Sequence, residues 1–341
     1  MRASVIIPVY NGADAITVCL AAVRCQTLPQ DAYEIIVVDD GSTDGTGEQA
    51  AALGATVLRQ PNRGPAAARN LGAQHATGEV LVFTDADCAP TPDWLDRLLA
   101  PFTDPTVAGA KGTYRTRQGG LVARLVQTEY EEKYARMARF STIDFIDTYS
   151  AAYRREVFLS NGGFDPAFPV PSAEDQEFSF RLAERGYRMV FAPRAVVYHR
   201  HVDSWAAYAR RKARYGYWQV LNRWRHPRSV LRDSHTPQSQ KAQLAMAGLV
   251  ALGALALPLA PGLWPLPVLS GMTFALSGVP FARRALAQDP VLGAAAYPLL
   301  ALRALSLLAG IAAGALTIPL RRPPQPRASV KASHPKERPL R

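Results

Sequence analysis

Gly78-Glu79-Val80-Leu81-Val82-Phe83-Thr84-Asp85-Ala86-Asp87-Cys88 is the stretch on which the reading of the whole chain turns. Val80 to Phe83 is an unbroken apolar run, the pattern of a strand buried on both faces. It ends in two carboxylates one residue apart, Asp85 and Asp87. Where a strand gives way to a loop, that spacing aims both acids at one point, and hard oxygen ligands held this way suit Mg²⁺ or Mn²⁺. Taken alone, Asp-Ala-Asp is equally a solvated turn, because Asp favours turns.

The residues before it repeat the pattern. Residues 4–9 form a short β-branched run closed by Pro8 and Asn11-Gly12, with a helix expected over 13–24. Residues 34–40 form a second strand running into Asp39 and Asp40. The turn at 41–45 feeds a helix to about Leu53, and residues 56–59 make a third strand. Residues 65–76 read as a helix with Pro65 in its first turn, where a missing N–H costs nothing. Strand and helix thus alternate up to Val80, and the strands are continuously apolar. That predicts an α/β fold with a mainly parallel sheet flanked by helices. In such sheets ligands bind beyond the carboxyl ends of the strands, where Pro8-Val9-Tyr10, Asp39-Asp40 and Asp85-Ala86-Asp87 would share one rim. Neither Gly-x-Gly-x-x-Gly nor a Walker A sequence follows the first strand, so a glycine cradle for phosphates is not indicated. A metal held by Asp87 would carry that charge instead.

The signal is weaker further on. A strand is expected over 107–113 and a helix over 121–139. A Pro-rich turn at 166–171 precedes a helix from Glu174 to Arg185, ended by Gly186. Short strands follow at 188–192 and 195–198. Ser204 is a good N-cap for a long Arg- and aromatic-rich helix reaching Trp224.

The 341 residues carry 39 Lys plus Arg against 28 Asp plus Glu, a formal charge of +11. The excess lies after Pro193, in one cluster from Arg194 to Lys241 and another from Arg321 to Arg341, and apolar sequence separates them. This distribution points to an anionic membrane surface and membrane lipids, not to nucleic acid. No nucleic-acid-binding motif is present. Cys19, Cys25 and Cys88 show no metal-ligand spacing and read as reduced thiols. The apolar run at 5–9 is too short for a signal peptide. Residues 242–282 contain no charge. Together with 291–320, charged only at Arg303, they offer two or three candidate membrane helices of about 18–20 residues. An even number of crossings keeps both basic clusters on the cytoplasmic side, and Arg303 is expected to snorkel to an interface. The expected divisions are 1–235 catalytic, 236–320 membrane region, and 321–341 a basic, Pro-rich disordered tail.

Several motifs then fall in one order: Ser4 to Asn11, Val37 to Asp44, Asn62 to Gly72, Thr84 to Asp87, Gly162-Gly163-Phe164-Asp165 and Glu174-Asp175. In that order and spacing, over about residues 3 to 215, the chain resembles family 2 of the inverting glycosyltransferases, which have the GT-A fold. The resemblance implies a nucleotide-diphosphate sugar donor, most often a UDP-sugar, and a divalent cation, Mn²⁺ or Mg²⁺. Pro8 and Tyr10 would line the base and ribose site, Asp40 would hold the base, and Arg69 would help hold the nucleotide. Asp85, Ala86 and Asp87 match the family's DxD motif, with Asp87 the stronger metal ligand. His199 falls where many members place a His near metal or diphosphate. Asp175 matches the general base.

From the residues alone, Glu174 and Asp175 equally suit a helix cap, and His199 a structural His at a strand end. Asp39 and Asp40 end a buried strand, which favours a partner for at least one of them. The chain departs from the family's pattern at Gly12-Ala13-Asp14, where many members have an acid directly after Asn11. It departs again at Ser150, where many have Asn. Gln219-Val220-Leu221-Asn222-Arg223-Trp224 is one residue too long for the Gln-x-x-Arg-Trp motif of processive members. The helix that carries it would lie on the membrane surface, or reach the phosphates of a lipid acceptor.

The resulting expectation is a multi-pass enzyme of the cytoplasmic (inner) membrane with its catalytic domain facing the cytoplasm. It would glycosylate a hydroxyl on a lipid-linked or envelope glycan precursor. An inactive membrane-bound nucleotide-sugar sensor or scaffold is the alternative, against which Asp40, Asp85, Asp87 and Asp175 together argue. A sugar-1-phosphate nucleotidyltransferase would need a Gly-rich basic loop that residues 10–15 lack.

Overall fold

The computed structural model describes residues 1–168, 173–227 and 233–318. The expected tail at 321–341 and the end of the Pro-rich turn, residues 169–171, lie outside them. The N-terminal third is built as its pattern predicts. β1 (Ala3–Val9), β2 (Tyr33–Asp39), β3 (Thr56–Arg59) and β4 (Val80–Phe83) lie in the order β3-β2-β1-β4, all parallel. The helices α1 (Ala13–Arg24), α2 (Thr46–Ala52) and α3 (Pro65–His75) connect them. Every residue of β1 and β4 is buried, which is why neither alternates. Gly72 lets α3 lie close on β1, since a Cβ there would fall 2.5 Å from the Ile6 side chain.

Beyond β4 the sheet becomes mixed. β5 (Cys88–Pro90) and α4 (Trp94–Leu99) are followed by β6 (Val107–Arg115) and α5 (Leu121–Met137). Then come β7 (Ala151–Arg154), α6 (Arg155–Ser160), α7 (Glu174–Glu184), β8 (Arg188–His199) and α8 (Trp205–Arg225). The eight-stranded order is β3-β2-β1-β4-β7-β6-β8-β5, with β7 and β5 antiparallel to their neighbours. Two corrections follow. The two short strands expected at 188–192 and 195–198 are one strand, β8, whose pairing with β6 shifts register between Lys111 and Thr113 and so carries it past Pro193. β5 had no signal, because its three residues include Pro90 and depend on β8 for pairing. Ser204 caps α8 as expected, its Oγ accepting from Ala207 N at 3.3 Å.

Three helices close the described chain: α9 (Gln238–Ala256), α10 (Pro265–Gln288) and α11 (Pro290–Thr317). Residues 261–288 and 290–317 are long and apolar enough to cross a bilayer, and only these among the described residues. α11 runs beside α8 at backbone contact. A Cβ on Gly310 would fall 1.9 Å from the Ala213 carbonyl oxygen, and one on Gly314 2.6 Å from that of Tyr217. Arg303 does not snorkel. It is buried, and its Nη1 donates to Glu129 Oε1 of α5 at 2.8 Å. A buried cation is retained because a carboxylate answers it at hydrogen-bond distance.

Candidate active site

A cavity of about 1040 Å³ opens beyond the carboxyl ends of β1, β2 and β4 and continues to α8, α9 and α11. Pro8, Tyr10, Asp40, Arg69, Asp85, Ala86, Asp87, Asp175 and His199 all line it, so the residues expected from the sequence converge.

Beyond the ends of β1 and β2 the turns lock one another. Asn11, at φ 48°, accepts from Thr43 N at 2.9 Å, and its own N–H donates to Ser42 Oγ at 2.9 Å. Asp39 does not face the cavity. It accepts from Ser42 N at 2.8 Å and sits 3.4 Å from Arg59. Asp40 accepts from Gln60 Nε2 at 2.6 Å, Arg63 N at 2.9 Å and Gly64 N at 2.9 Å. Its carboxylate therefore fixes the loop ahead of α3, using three of about four acceptor positions. The buried acids that end β2 have their partners, as burial requires.

Arg69 joins the two halves of the chemistry. Buried on α3, it donates from Nη2 to Asp85 Oδ1 at 2.7 Å and from Nη1 to Glu174 Oε1 at 3.0 Å. Its neighbour Asn70 clasps the Gly-Gly-Phe turn, donating to Phe164 O at 2.7 Å and accepting from Phe164 N at 2.9 Å. Gly163 has φ +66°, and a Cβ there would fall 2.4 Å from Asn70 Oδ1. So Arg69-Asn70, Gly162-Gly163-Phe164 and Glu174-Asp175 are parts of one contact. The expected nucleotide role of Arg69 is set beside a positioning role that sequence reasoning missed.

Asp175 stands in the first turn of α7, but neither acid caps it. The N-cap position is Ala173 and makes no side-chain bond. Burial pushes the Asp175 carboxyl up to about 7. The adjacent Glu174 adds to that rise, while Arg69 opposes it. Gln176, just after it, is gripped from α8: Tyr215 Oη and Asn222 Nδ2 each donate to its Oε1 at 3.1 Å, and Gln219 donates as well. The near-match Gln219 to Trp224 thus contributes two donors to the seat of α7.

β5 sets Asp87 against His199. Cys88 pairs opposite His199, which brings His199 Nε2 to 3.1 Å from Asp87 Oδ2. Burial raises the Asp87 carboxyl, but the hydrogen bond and charge of His199 outweigh it and hold it below its ordinary value. Among the described residues no three His, Cys, Asp or Glu side chains converge as a ready-made metal cage. A carboxylate and an imidazole facing one cavity fit a cation that takes its remaining ligands from phosphates and water.

Two residues packed against the cavity-lining segment 147–149 complete the surroundings of the site. Lys111, fully buried on β6, pairs with the Asp147 carboxylate and donates to Tyr149 Oη at 2.9 Å; burial pushes its ammonium well below the usual range. Ser150 accepts from Trp94 Nε1 at 2.8 Å and is fully buried, so at this departure from the family's pattern it is a core partner.

A mixed α/β sheet of this order, with paired acids beyond its central strands, defines the GT-A class. One solved structure of like fold is the mannosyltransferase PcManGT of Pyrobaculum calidifontis, in complex with GDP-Man and Mn²⁺. It superposes with a TM-score of 0.61 over 92% of this chain and 87% of that one, at 24% identity. Residues 4–160 match the family model for glycosyl transferase family 2. Relatives include glycosyltransferase AglE of Haloferax volcanii, 32% identical over 55% of this chain and 64% of that protein. A pre-mycofactocin glycosyltransferase of Mycobacterium tuberculosis is 32% identical over 66% of this chain and 48% of its own length. The chain thus spans between about half and just under two thirds of these curated relatives.

Proposed function

We propose that the protein transfers a sugar, with inversion, from a nucleotide-diphosphate sugar to a hydroxyl of a lipid-linked or envelope glycan precursor, and that Asp175 is the general base. The observation that carries this reading is the Asp175 carboxyl poised at about 7 and tied through Glu174 and Arg69 to Asp85 of the paired acids. A base whose pKa matches working pH is half deprotonated there and still strong enough to accept a proton. The acceptor oxygen attacks the anomeric carbon as its proton passes to Asp175. The bond from that carbon to the diphosphate oxygen breaks, and the nucleoside diphosphate leaves. Asp87 and His199 would hold a divalent cation, Mn²⁺ or Mg²⁺, which when bound supplies positive charge to the diphosphate. Pro8 and Tyr10 line the base and ribose site, and Asp40 holds its loop in place. A UDP-sugar is the first donor to try.

The anchoring reading rests on the apolar surface of the end of α9, the connection after it and α10. Leu255, Leu259, Trp264, Leu269 and Leu276 are exposed there, Leu259 at 90%. An apolar surface of that kind is stable in hydrocarbon. We assign α10 and α11 to the cytoplasmic membrane, with the cavity on the cytoplasmic side. Retention in the pellet after alkaline carbonate extraction is expected, and release into the supernatant would remove the anchor.

The test of the activity is nucleoside diphosphate release from a panel of UDP- and GDP-sugars, with membrane lipid extract as acceptor. Release that needs Mn²⁺ or Mg²⁺ and is lost in Asp175→Asn supports the transferase. Donor binding without release under every acceptor points to the sensor. No donor binding refutes the reading of Asp40, Asp85 and Asp87.

A further inference from the structure

Residues 145–149, just ahead of β7, border the cavity between the paired acids and the first turn of α7, yet none of them takes part in the transfer as proposed. The segment is tied at both ends. Thr84, next to Asp85, donates from Oγ1 to Tyr149 O at 2.9 Å. At the other end Ile146 N donates to Ser179 Oγ at 3.0 Å, and that hydroxyl donates to Asp175 O at 2.7 Å. Asp147 stands between these two ties and lines the cavity together with Asp85 and Asp175.

The Asp147 side chain keeps 11% of its surface, and its two oxygens differ. Oδ1 is taken by Lys111 Nζ, whereas Oδ2 has no hydrogen-bond partner among the described residues. Lys111 has little freedom to release it. The rings of Tyr149, Phe145 and Tyr134 stand 4.8, 5.4 and 5.8 Å from its Nζ, and Tyr149 Oη accepts from it at 2.9 Å. Burial pushes the Lys111 ammonium down; the charge of Asp175 opposes this, and that of Lys133 of α5 adds to it. An amine enclosed in this way needs its carboxylate, so Oδ1 is pinned and Oδ2 is left to the cavity. A carboxylate oxygen with a vacant acceptor position on a cavity wall suits a hydroxyl. With a diphosphate at Asp87 and the base at Asp175, the sugar in transit lies between them, along this segment.

We propose that Asp147 is a specificity-determining residue whose Oδ2 accepts a hydrogen bond from a hydroxyl of the transferred sugar, and that Lys111 is the positioning residue that holds it there. This rests on the preceding reading, which puts the diphosphate at Asp87 and the base at Asp175.

Asp147→Asn probes the contact without a change of size. Lys111 donates and so takes the amide oxygen, which turns the amide NH₂ to the cavity and replaces an acceptor there by a donor. The experiment is equilibrium binding to the full chain in detergent micelles with Mn²⁺. The ligands are UDP-glucose, UDP-galactose, UDP-N-acetylglucosamine and GDP-mannose, each beside its own nucleoside diphosphate. The readout is the ratio of Kd for the nucleotide sugar to Kd for the diphosphate. Asp147→Asn should raise that ratio about tenfold for at least one pair, the range of one hydrogen bond to a charged group, with diphosphate affinity unchanged. Lys111→Met frees the carboxylate to turn and should raise the same ratio by less. If Asp147→Asn fails to fold with Lys111 left unpaired, Lys111→Met combined with Asp147→Ala removes both charges, and the same rise is expected.

Four results overturn the proposal. A ratio that no variant moves, in a protein that binds the diphosphates, removes the contact and leaves the transferase reading standing. Equal weakening of sugar and diphosphate makes Lys111 and Asp147 a structural pair. An unchanged ratio with a raised apparent KM for the acceptor in membrane lipid extract gives the hydroxyl to the acceptor. A wild-type protein that binds none of these nucleotides sinks the transferase reading and this contact with it.

Discussion

The two ends of the cavity are held by different means. At the proposed nucleotide end, turns are closed by backbone N–H groups on nearby acids and amides, as in Asp40 with Arg63 and Gly64 or Asn11 with Thr43. At the far end, long charged side chains cross between helices distant in sequence, as Arg303 and Lys212 meet on Glu129. The first kind of site is preorganised by short loops. The second is assembled only when the C-terminal helices dock, so the two ends should respond separately to substitution.

The largest effect is expected at the junction of the two. Asp175→Asn removes the proposed base and should lower kcat by about 10²–10⁴-fold, measured as nucleoside diphosphate release, with donor affinity nearly unchanged. Stability should move the other way. The folded Asp175 carboxyl lies at about 7 against an ordinary 3.8, so the folded state binds more protons between those values. The stability this group contributes is present below 3.8 and lost as pH rises through about 7. The Asn variant escapes that loss, and its Tm at pH 8 should equal or exceed the parent's. A lower Tm with an unchanged rate would break the assignment.

Arg69→Met comes next. It leaves Asp85 and Glu174 without their shared cation, and breaking a buried pair in this way costs about 3–5 kcal/mol. Chemical denaturation should show that loss, and the nucleotide end should weaken with it. If only activity falls, Arg69 acts on the ligand and does not tie the two halves together.

The contrast between the ends is also a contrast in what sequence can reveal. The donor half was legible because its contacts are made by short segments whose residue order is itself the pattern. The strands are unbroken apolar runs, and the turns place Asn11, Asp40, Asp85 and Asp87 a residue or two from a strand end. β5 was not legible, since three residues including a Pro have no periodicity and only β8 gives them a partner. The roles of Gln176, Lys111 and Glu129 were hidden because each depends on partners 36 to 174 positions away. Arg303 was misread for the same reason: an Arg in an apolar helix suggests snorkelling until the acid of another helix is known.

Gly310→Val tests the far end by itself. A side chain at Gly310 would meet the Ala213 carbonyl, so α11 has to move off α8. Overpacking of this kind costs about 1–3 kcal/mol. Transfer to a lipid acceptor should fall while binding of the nucleotide keeps its affinity. Equal loss of both would mean that the two ends fold as one unit.

The finest test is the pH dependence of transfer, because it asks which charges set the base. Only deprotonated Asp175 can accept the acceptor's proton, so kcat/KM should fall about tenfold per unit below pH 7 and level off above it. Glu174 raises that carboxyl through its adjacent negative charge, although burial is the larger cause. Glu174→Gln should therefore move the acid limb to lower pH but not to the ordinary value of an exposed Asp. Lys133→Met, at the other end, should leave the limb where it is. A limb that follows Lys133 and ignores Glu174 would place the titrating group among the cations of the far end, and the division between the two ends of the cavity would be lost.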